Sequence, residues 1–491
     1  MWPVTLTMTQ RRGLVAVAVA ALLVVAGCSA PAIEPPTASA PSSGGEAAAI
    51  PNGDFNDPDT DVLGWEDGYW YNESISVEQS DGLSDEELRT YVARAMARVE
   101  YIRGTEFRKR VPVEVLSREE YRNRSGGSGG SGERSGYQRW NDQVWEALFV
   151  TGESQDSGSA ISDTRSAAVA GFYAPGDDEI KVITGTPESP TINNATLIHE
   201  LVHALQDQQY DLSKPKYGGD TQDEQLAVDG LVEGDANYVE RRYAQQCGAA
   251  WDCVATPESA GGGGGGGGGP NLGILLTIFQ PYSDGPVYIS DLVDRGGWET
   301  VDEEFETPPA STEQVIHRTD DDPVPIEYRD RAENGWETFP EQGEGGSDTV
   351  GEASMYVMFW YQARTTGADT IDPRSLSDTE GPYDTYNYDA EPSAGWGNDR
   401  LYPYQQGSGS NAEYGYVWVT EWDTEADARE FRRAYRAILD TQDAEQRAEN
   451  TYVIPTGEFA DAFRVTRSGT RVTIVNGPTA GDLDDIRPRR S

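Results

Sequence analysis

The stretch Asn193–Gln208, NNATLIHELVHALQDQ, decides how this sequence is interpreted. Its apolar residues recur with the spacing of one buried helix face, and Asn193 or Asn194 can cap the start. Side chains four residues apart share a face of a helix, so the imidazoles of His199 and His203 can reach one metal ion. The stretch therefore predicts a helix that binds zinc, with Zn²⁺ as the cofactor.

The pattern His-Glu-x-x-His is rare in a chain with three histidines in total, the third being His317. At this composition it arises by chance on the order of once in a thousand such sequences. Glu200 lies at the edge of the histidine face, where its carboxylate can hold a water molecule instead of ligating the metal. The alternative is a pair of structural histidines with no metal.

A zinc ion that keeps a position open for water needs a third protein ligand. A second helix is predicted over 222–245, and within it Glu233 is the predicted ligand. Other carboxylates of this segment are the alternatives, namely Glu224, Asp229 and Asp235.

Two glycines, Gly230 and Gly234, flank Glu233 and allow another backbone to approach this helix closely. Asn237 follows Glu233 by one turn and is predicted to accept a hydrogen bond from a ligand histidine. The alternative for Asn237 is an amide that faces solvent.

These residues predict peptide hydrolysis. Zinc polarises the scissile carbonyl, and Glu200 takes a proton from the attacking water and returns it to the leaving amine. His317 is the predicted donor to the oxyanion, with a buried, hydrogen-bonded histidine as the alternative. Tyr173 and Arg400 are weaker candidates for the same role. The strand 179–183 is expected to offer an exposed edge to an extended peptide.

Composition excludes several functional classes. The chain has 491 residues, and 84 Asp and Glu against 38 Lys and Arg give it a formal charge of -46. Such a charge repels phosphate backbones and anionic headgroups, so no nucleic-acid partner is expected. Only four of the basic residues are lysines. Excess acid with little lysine indicates a halophile's protein, and an acidic mesophilic protein is the alternative.

The N-terminus is typical of an export signal. Arg11 and Arg12 resemble a twin-arginine signal, and the apolar run after them is too short to span a bilayer. Residues 1–27 are therefore predicted to be removed. The residues Val-Ala-Gly-Cys resemble a lipobox, which predicts a lipid on Cys28 and attachment to the extracellular face of the cell membrane. An ordinary signal peptide is the alternative.

Cysteine parity supports this prediction. With Cys28 lipidated, Cys247 and Cys253 remain as a pair, and export exposes them to an oxidising environment. They are predicted to form a disulfide. A zinc site at this pair is less favoured, because no second Cys or His pair lies nearby.

The remaining chain is predicted to adopt an α+β fold, because helices and strands segregate without regular alternation. The spaced carboxylates over 54–61 do not form a complete calcium-binding loop. They are interpreted as solvent-exposed acidic residues that precede the folded region. The predicted organisation is a linker over 28–60, a zinc-binding lobe over 61–260, a glycine run over 261–269, a mixed α/β C-terminal lobe over 270–480 that completes the cleft, and a tail over 481–491.

With its HExxH helix and following Glu ligand, the chain resembles a gluzincin-type zinc metallopeptidase. It also resembles a family of haloarchaeal surface lipoproteins in the motifs HELVHALQDQ (199–208), LVEGDA (231–236), STEQVIH (311–317) and GWGNDR (395–400). The resemblance implies a zincin-like lobe at the cell surface. Asn237 stands where the best-known gluzincin pattern has Asp.

The predicted function is a lipid-anchored zinc metallopeptidase that acts on peptide or protein substrates. A surface or envelope lipoprotein with a structural or vestigial zinc is the alternative, although such a site has no use for Glu200 as a base. A solute-binding lipoprotein is less favoured, because no repeated α/β halves are visible. The substrate and the oligomeric state do not follow from the sequence.

Overall fold

The computed structural model describes residues 57–124, 134–168, 170–255 and 270–489. The predicted signal, Cys28, the linker up to residue 56 and the glycine run 261–269 lie outside the described residues. The α-helices of the described residues are Asp85–Arg103 (α1), Arg118–Arg124 (α2), Gly136–Ala147 (α3), Ser157–Ala168 (α4), Asn194–Tyr210 (α5), Gln222–Gln246 (α6), Leu272–Gly296 (α7), Trp298–Glu306 (α8), Thr312–His317 (α9), Gly351–Thr366 (α10), Glu425–Thr441 (α11) and Asp482–Ile486 (α12).

The strands form three sheets. They are Trp65–Glu66 (β1), Tyr69–Trp70 (β2), Val113–Ser117 (β3), Gly171–Ala174 (β4), Glu179–Thr184 (β5), Trp336–Thr338 (β6), Trp396–Gln406 (β7), Glu413–Trp422 (β8), Glu445–Ala448 (β9), Thr451–Val453 (β10), Ala462–Ser468 (β11) and Arg471–Gly477 (β12). The orders are β1-β2, β3-β5-β4 and β6-β7-β8-β12-β11-β10-β9. The fold is α+β, as predicted.

The three-stranded sheet corrects one prediction. The strand β5 was expected to present an exposed edge, but it is the central strand. It pairs in parallel with β3, with Val115 opposite Val182, and in antiparallel with β4, with Tyr173 opposite Ile180. Both backbone edges of β5 are therefore occupied, and the sheet edge beside α5 belongs to β4.

Helices α5, α6 and α7 pack together and position the candidate site. At Gly234, an added Cβ would lie 2.6 Å from the backbone carbon of Gly285, and at Gly285 it would lie 2.4 Å from the carbonyl oxygen of Gly230. The predicted close approach of a backbone to Gly230 and Gly234 is therefore confirmed, and α7 makes it. Helix α7 follows the glycine run in sequence, so the helices at the site come from both sides of that run.

The seven-stranded sheet packs on α10 and α11 and forms a large apolar core with Trp396, Trp418 and Phe431. Trp140 of α3 and Ile274 of α7 belong to the same core. The expected tail over 481–491 is corrected in part. Its residues 482–486 form α12, whose Leu483 and Ile486 side chains are buried against the sheet, because apolar side chains spaced three apart cover one helix face.

The predicted disulfide between Cys247 and Cys253 is present, directly after α6. It lies beside Trp251 and Tyr243 and belongs to the edge of the core that α1, α5 and α6 share. Within the described residues, the helices are each too short or too polar to cross a membrane.

Candidate metal centre

The helix α5, which carries His199 and His203, forms as its sequence predicts. Asn193 caps it by accepting a hydrogen bond from the Ala195 amide, which satisfies one of the free N–H groups of the first turn. Its apolar residues face the core, and His199 and His203 are 1% and 0% exposed. The two rings lie one turn apart with centroids at 4.7 Å. Both imidazoles thus point into the protein toward α6.

Three donor atoms converge between α5 and α6. The Nε2 atoms of His199 and His203 are 3.0 Å apart, and the Oε2 atom of Glu233 lies 3.0 Å from the first and 3.2 Å from the second. Donors bound at about 2 Å from a tetrahedral zinc ion stand about 3.3 Å from one another. The separations therefore fit a bound ion, and two imidazole nitrogens with one carboxylate oxygen are a donor set that suits zinc.

The charge state of Glu233 also fits a ligand. Burial raises its pKa, but the facing imidazoles of His203 and His199 hold the pKa of Glu233 well below its ordinary value. The carboxylate is therefore ionised and available as a donor.

The alternative third ligands have other partners. Asp235 lies 3.2 Å from the Nε atom of Arg103, and Asp229 accepts a hydrogen bond from Gln225. Glu224 accepts one from the Asp220 amide. Of the four candidates, the structure brings Glu233 to both imidazoles.

A buried polar chain orients His203. Its Nδ1 atom lies 3.0 Å from Oε1 of Gln206, and the amide of Gln206 donates to the Val232 carbonyl and to Asp235. An acceptor at Nδ1 places the ring proton there, which leaves the Nε2 lone pair free for a metal. Asp235 in turn pairs with Arg103, whose guanidinium stacks over the ring of Trp298.

The prediction for Asn237 is wrong. Its Nδ2 atom donates to the backbone carbonyl of Glu233, one turn back, and the side chain is fully buried instead of facing solvent. The group beside Nδ1 of His199 is Glu240, at 3.5 Å. Glu240 lies two turns after Glu233, on the same face of α6, and one turn after Asn237. Its side chain is longer than that of Asn237 and reaches His199, which Asn237 does not.

Glu200 lies beside the three donors and is fully buried. Its Oε2 atom accepts a hydrogen bond of 2.7 Å from the backbone N–H of Tyr173 in β4, and its Oε1 atom has no partner among the described residues. Burial raises the pKa of Glu200. One oxygen is thus held by the sheet edge while the other stays available to a proton.

Tyr282 of α7 is a residue that sequence analysis missed. Its ring stacks on His199 with centroids 6.2 Å apart, and its buried hydroxyl has no hydrogen-bond partner within the described chain. Burial and the nearby charge of Glu233 raise the pKa of Tyr282, so the hydroxyl remains a donor. The glycine contact between α6 and α7 brings it here, and no local motif marks it.

The three expected oxyanion donors lie elsewhere. His317 pairs with Glu352, as its alternative interpretation expects, and it is not among the groups that converge with the donors. The hydroxyl of Tyr173 donates to Asp207, so only its backbone faces the site, and Arg400 pairs with Glu344. These three assignments are corrected, because each side chain has a polar partner on a neighbouring element.

Comparison with known proteins assigns no activity. A family model described as a domain of unknown function, DUF8575, matches residues 336–487, which comprise the seven-stranded sheet with α10 to α12 and none of the three converging donors. Neither the curated proteins nor the solved structures contain a match to this chain.

Proposed function

We propose that this protein is a zinc-dependent peptidase of the gluzincin type, exported and held at the outer face of the cell membrane by a lipid on Cys28. The convergence of His199, His203 and Glu233, with the free oxygen of Glu200 beside them, carries the proposal. The edge strand β4 next to α5 adds a zincin-like arrangement of helix and sheet.

When bound, zinc supplies Lewis acidity that polarises a carbonyl and acidifies a water molecule. The chain's own residues handle the proton. The Tyr173 N–H fixes one oxygen of Glu200, so the other oxygen takes the proton from water and later returns it to the leaving amine. Tyr282 takes the role expected of His317, because its unpartnered hydroxyl is a buried donor beside the site.

The second candidate is an envelope lipoprotein with a structural zinc ion. One observation favours it: Glu200 and both histidines are at most 1% exposed and Glu233 is 7% exposed. Structural zinc sites are closed in this way, whereas catalytic sites keep a position open. The free oxygen of Glu200 favours the peptidase, since a closed structural site leaves no function for an unpartnered carboxylate.

The variant Glu200→Gln separates the two functions. We expect wild-type protein in concentrated salt to contain zinc and to digest casein, with loss of digestion on chelation and recovery on adding Zn²⁺. The variant should retain zinc and lose digestion, because glutamine cannot accept the proton. Glu188→Gln, an exposed change outside the site, is the matched control. Zinc-loaded wild-type protein without proteolysis supports the structural role, and digestion by Glu200→Gln contradicts the proposed mechanism.

A further inference from the structure

The third histidine of the chain belongs to a second cluster. His317 ends α9, and its Nε2 atom lies 3.0 Å from both carboxylate oxygens of Glu352, in the first turn of α10. Asp389, between α10 and β7, adds a third group. One donor atom from each of the three residues lies within 4.8 Å of the others.

The charges at this cluster do not balance. Two further carboxylates, Glu313 and Asp423, act on His317 or Glu352 electrostatically. Within the described ranges, these four carboxylates form no ion pair with any Lys or Arg side chain. Glu352 is fully buried, and a buried carboxylate requires a cation or a proton. His317 supplies one positive charge to Glu352, and the remaining carboxylates require protons or a further cation.

Glu313 distinguishes the cluster from an ordinary histidine–carboxylate pair. It precedes His317 by four residues, so the two side chains share a face of α9. It is only 8% exposed, and its carboxylate has no hydrogen bond or ion pair to any residue that the structure describes. The Glu313 carboxylate thus lies one helical turn before His317 and adds negative charge beside the cluster.

We propose that His317, Glu352 and Asp389 bind a second divalent cation. One imidazole nitrogen with several carboxylate oxygens is a donor set that suits a first-row transition ion such as Zn²⁺ or Mn²⁺. Buried Glu352 anchors the ion, and exposed Asp389 opens the site to solvent, which provides a path of entry.

The cation joins α9 to α10, and both helices contact α6, the helix that carries Glu233. Asp223, in the first turn of α6, accepts hydrogen bonds from the amide and hydroxyl of Thr312 at 2.9 and 2.6 Å, and the same hydroxyl accepts from the Ala353 amide at 3.2 Å. Val315 packs on α6 at Gly230. The second ion joins α9, α10 and the loop that carries Asp389, beyond this network. Its role is therefore structural, and it does not depend on whether the first centre is catalytic.

Metal stoichiometry tests the proposal. Full-length protein is equilibrated with Zn²⁺, and separately with Mn²⁺, in concentrated KCl, and bound metal is then measured by mass spectrometry. Wild-type protein should bind two ions, and His317→Ala one. Asp389→Asn changes only an exposed side chain and should weaken the second ion at least tenfold. Glu391→Gln, an exposed acid two residues away, is the matched control and should bind two.

The double variant His199→Ala/His203→Ala separates this proposal from the peptidase proposal. It should keep one ion, and adding Asp389→Asn should weaken that ion at least tenfold. One ion in wild-type protein that disappears in the double variant overturns the second site and leaves the first intact. Two ions in His317→Ala likewise overturn it. If His317→Ala fails to fold, the Asp389→Asn titration decides, and equal affinity with wild type contradicts the proposal.

Discussion

The replacement Asp235→Asn tests the buried polar chain behind His203. Asp235 is fully buried and lies 3.2 Å from Arg103, which is 3% exposed. Breaking a buried ion pair by removing one partner costs about 3–5 kcal/mol, because the other charge stays buried without compensation. Arg103 keeps a contact of 2.7 Å to Asp302. We therefore expect a loss of about 3 kcal/mol in the free energy of unfolding, at the low end of that range.

The same change should weaken zinc binding. Asp235 accepts a hydrogen bond from Gln206, which orients His203, and loss of such outer partners costs on the order of 10- to 100-fold in metal affinity. Urea unfolding of the metal-free protein in concentrated salt measures the stability, and titration with a competing chelator measures the affinity.

Asp302→Asn is the matched control because it contacts the same arginine. The Asp302 side chain is 44% exposed, so the change should cost less than about 1 kcal/mol and leave zinc affinity unchanged. Equal unfolding free energies for Asp235→Asn and Asp302→Asn would refute the role assigned to burial here.

Three further predictions concern packing, catalysis and pH. Gly234→Ala places a Cβ 2.6 Å from the backbone of Gly285 and should lower the unfolding free energy by about 1–3 kcal/mol in urea titrations. We expect this loss even though alanine has a higher helix propensity than glycine. Unchanged stability would contradict the contact between α6 and α7. Tyr282→Phe should lower kcat on a peptide substrate by about 10²- to 10³-fold, with zinc content and stability unchanged, and an unaltered kcat would remove Tyr282 from the mechanism. Burial raises the pKa of both Glu66 and Glu100, which hydrogen-bond to each other, so the folded state binds protons more tightly than the unfolded chain. Stability should therefore fall as pH rises above the ordinary glutamate pKa. Glu66→Gln should flatten that slope, and an identical slope would contradict the assignment.

Local signals predicted the helices well. The helix Asp85–Arg103 carries such signals, since Ser84 and Glu87 form a capping box at its start and Gly104 ends it in the left-handed conformation. The helix expected over 222–245 is observed as Gln222–Gln246. The capping residues and the apolar periodicity of a helix lie within a few residues of one another. A helix can therefore be predicted from a short stretch of sequence.

Non-local contacts were not predictable in the same way. The strand β5 is central because it pairs in parallel with β3, which lies more than sixty residues earlier in the sequence. The alternation of apolar and polar residues within β5 would be the same in an edge strand, so it could not predict the central position. Tyr282 reaches the site through a glycine contact between two helices, and Glu240 reaches His199 through side-chain length. His317 lies near carboxylates from α9, α10 and two loops, and the outermost of them, Glu313 and Asp423, are about 110 residues apart in the sequence.

The most direct test of the proposed metal centre is crystallographic. Crystals grown with Zn²⁺ are measured above and below the zinc absorption edge, and an anomalous difference map locates the ion without reference to activity. We expect a peak about 2 Å from Nε2 of His199, Nε2 of His203 and the Glu233 carboxylate. Zinc-containing crystals with no peak between α5 and α6, or with these three side chains turned away from a common centre, would contradict it.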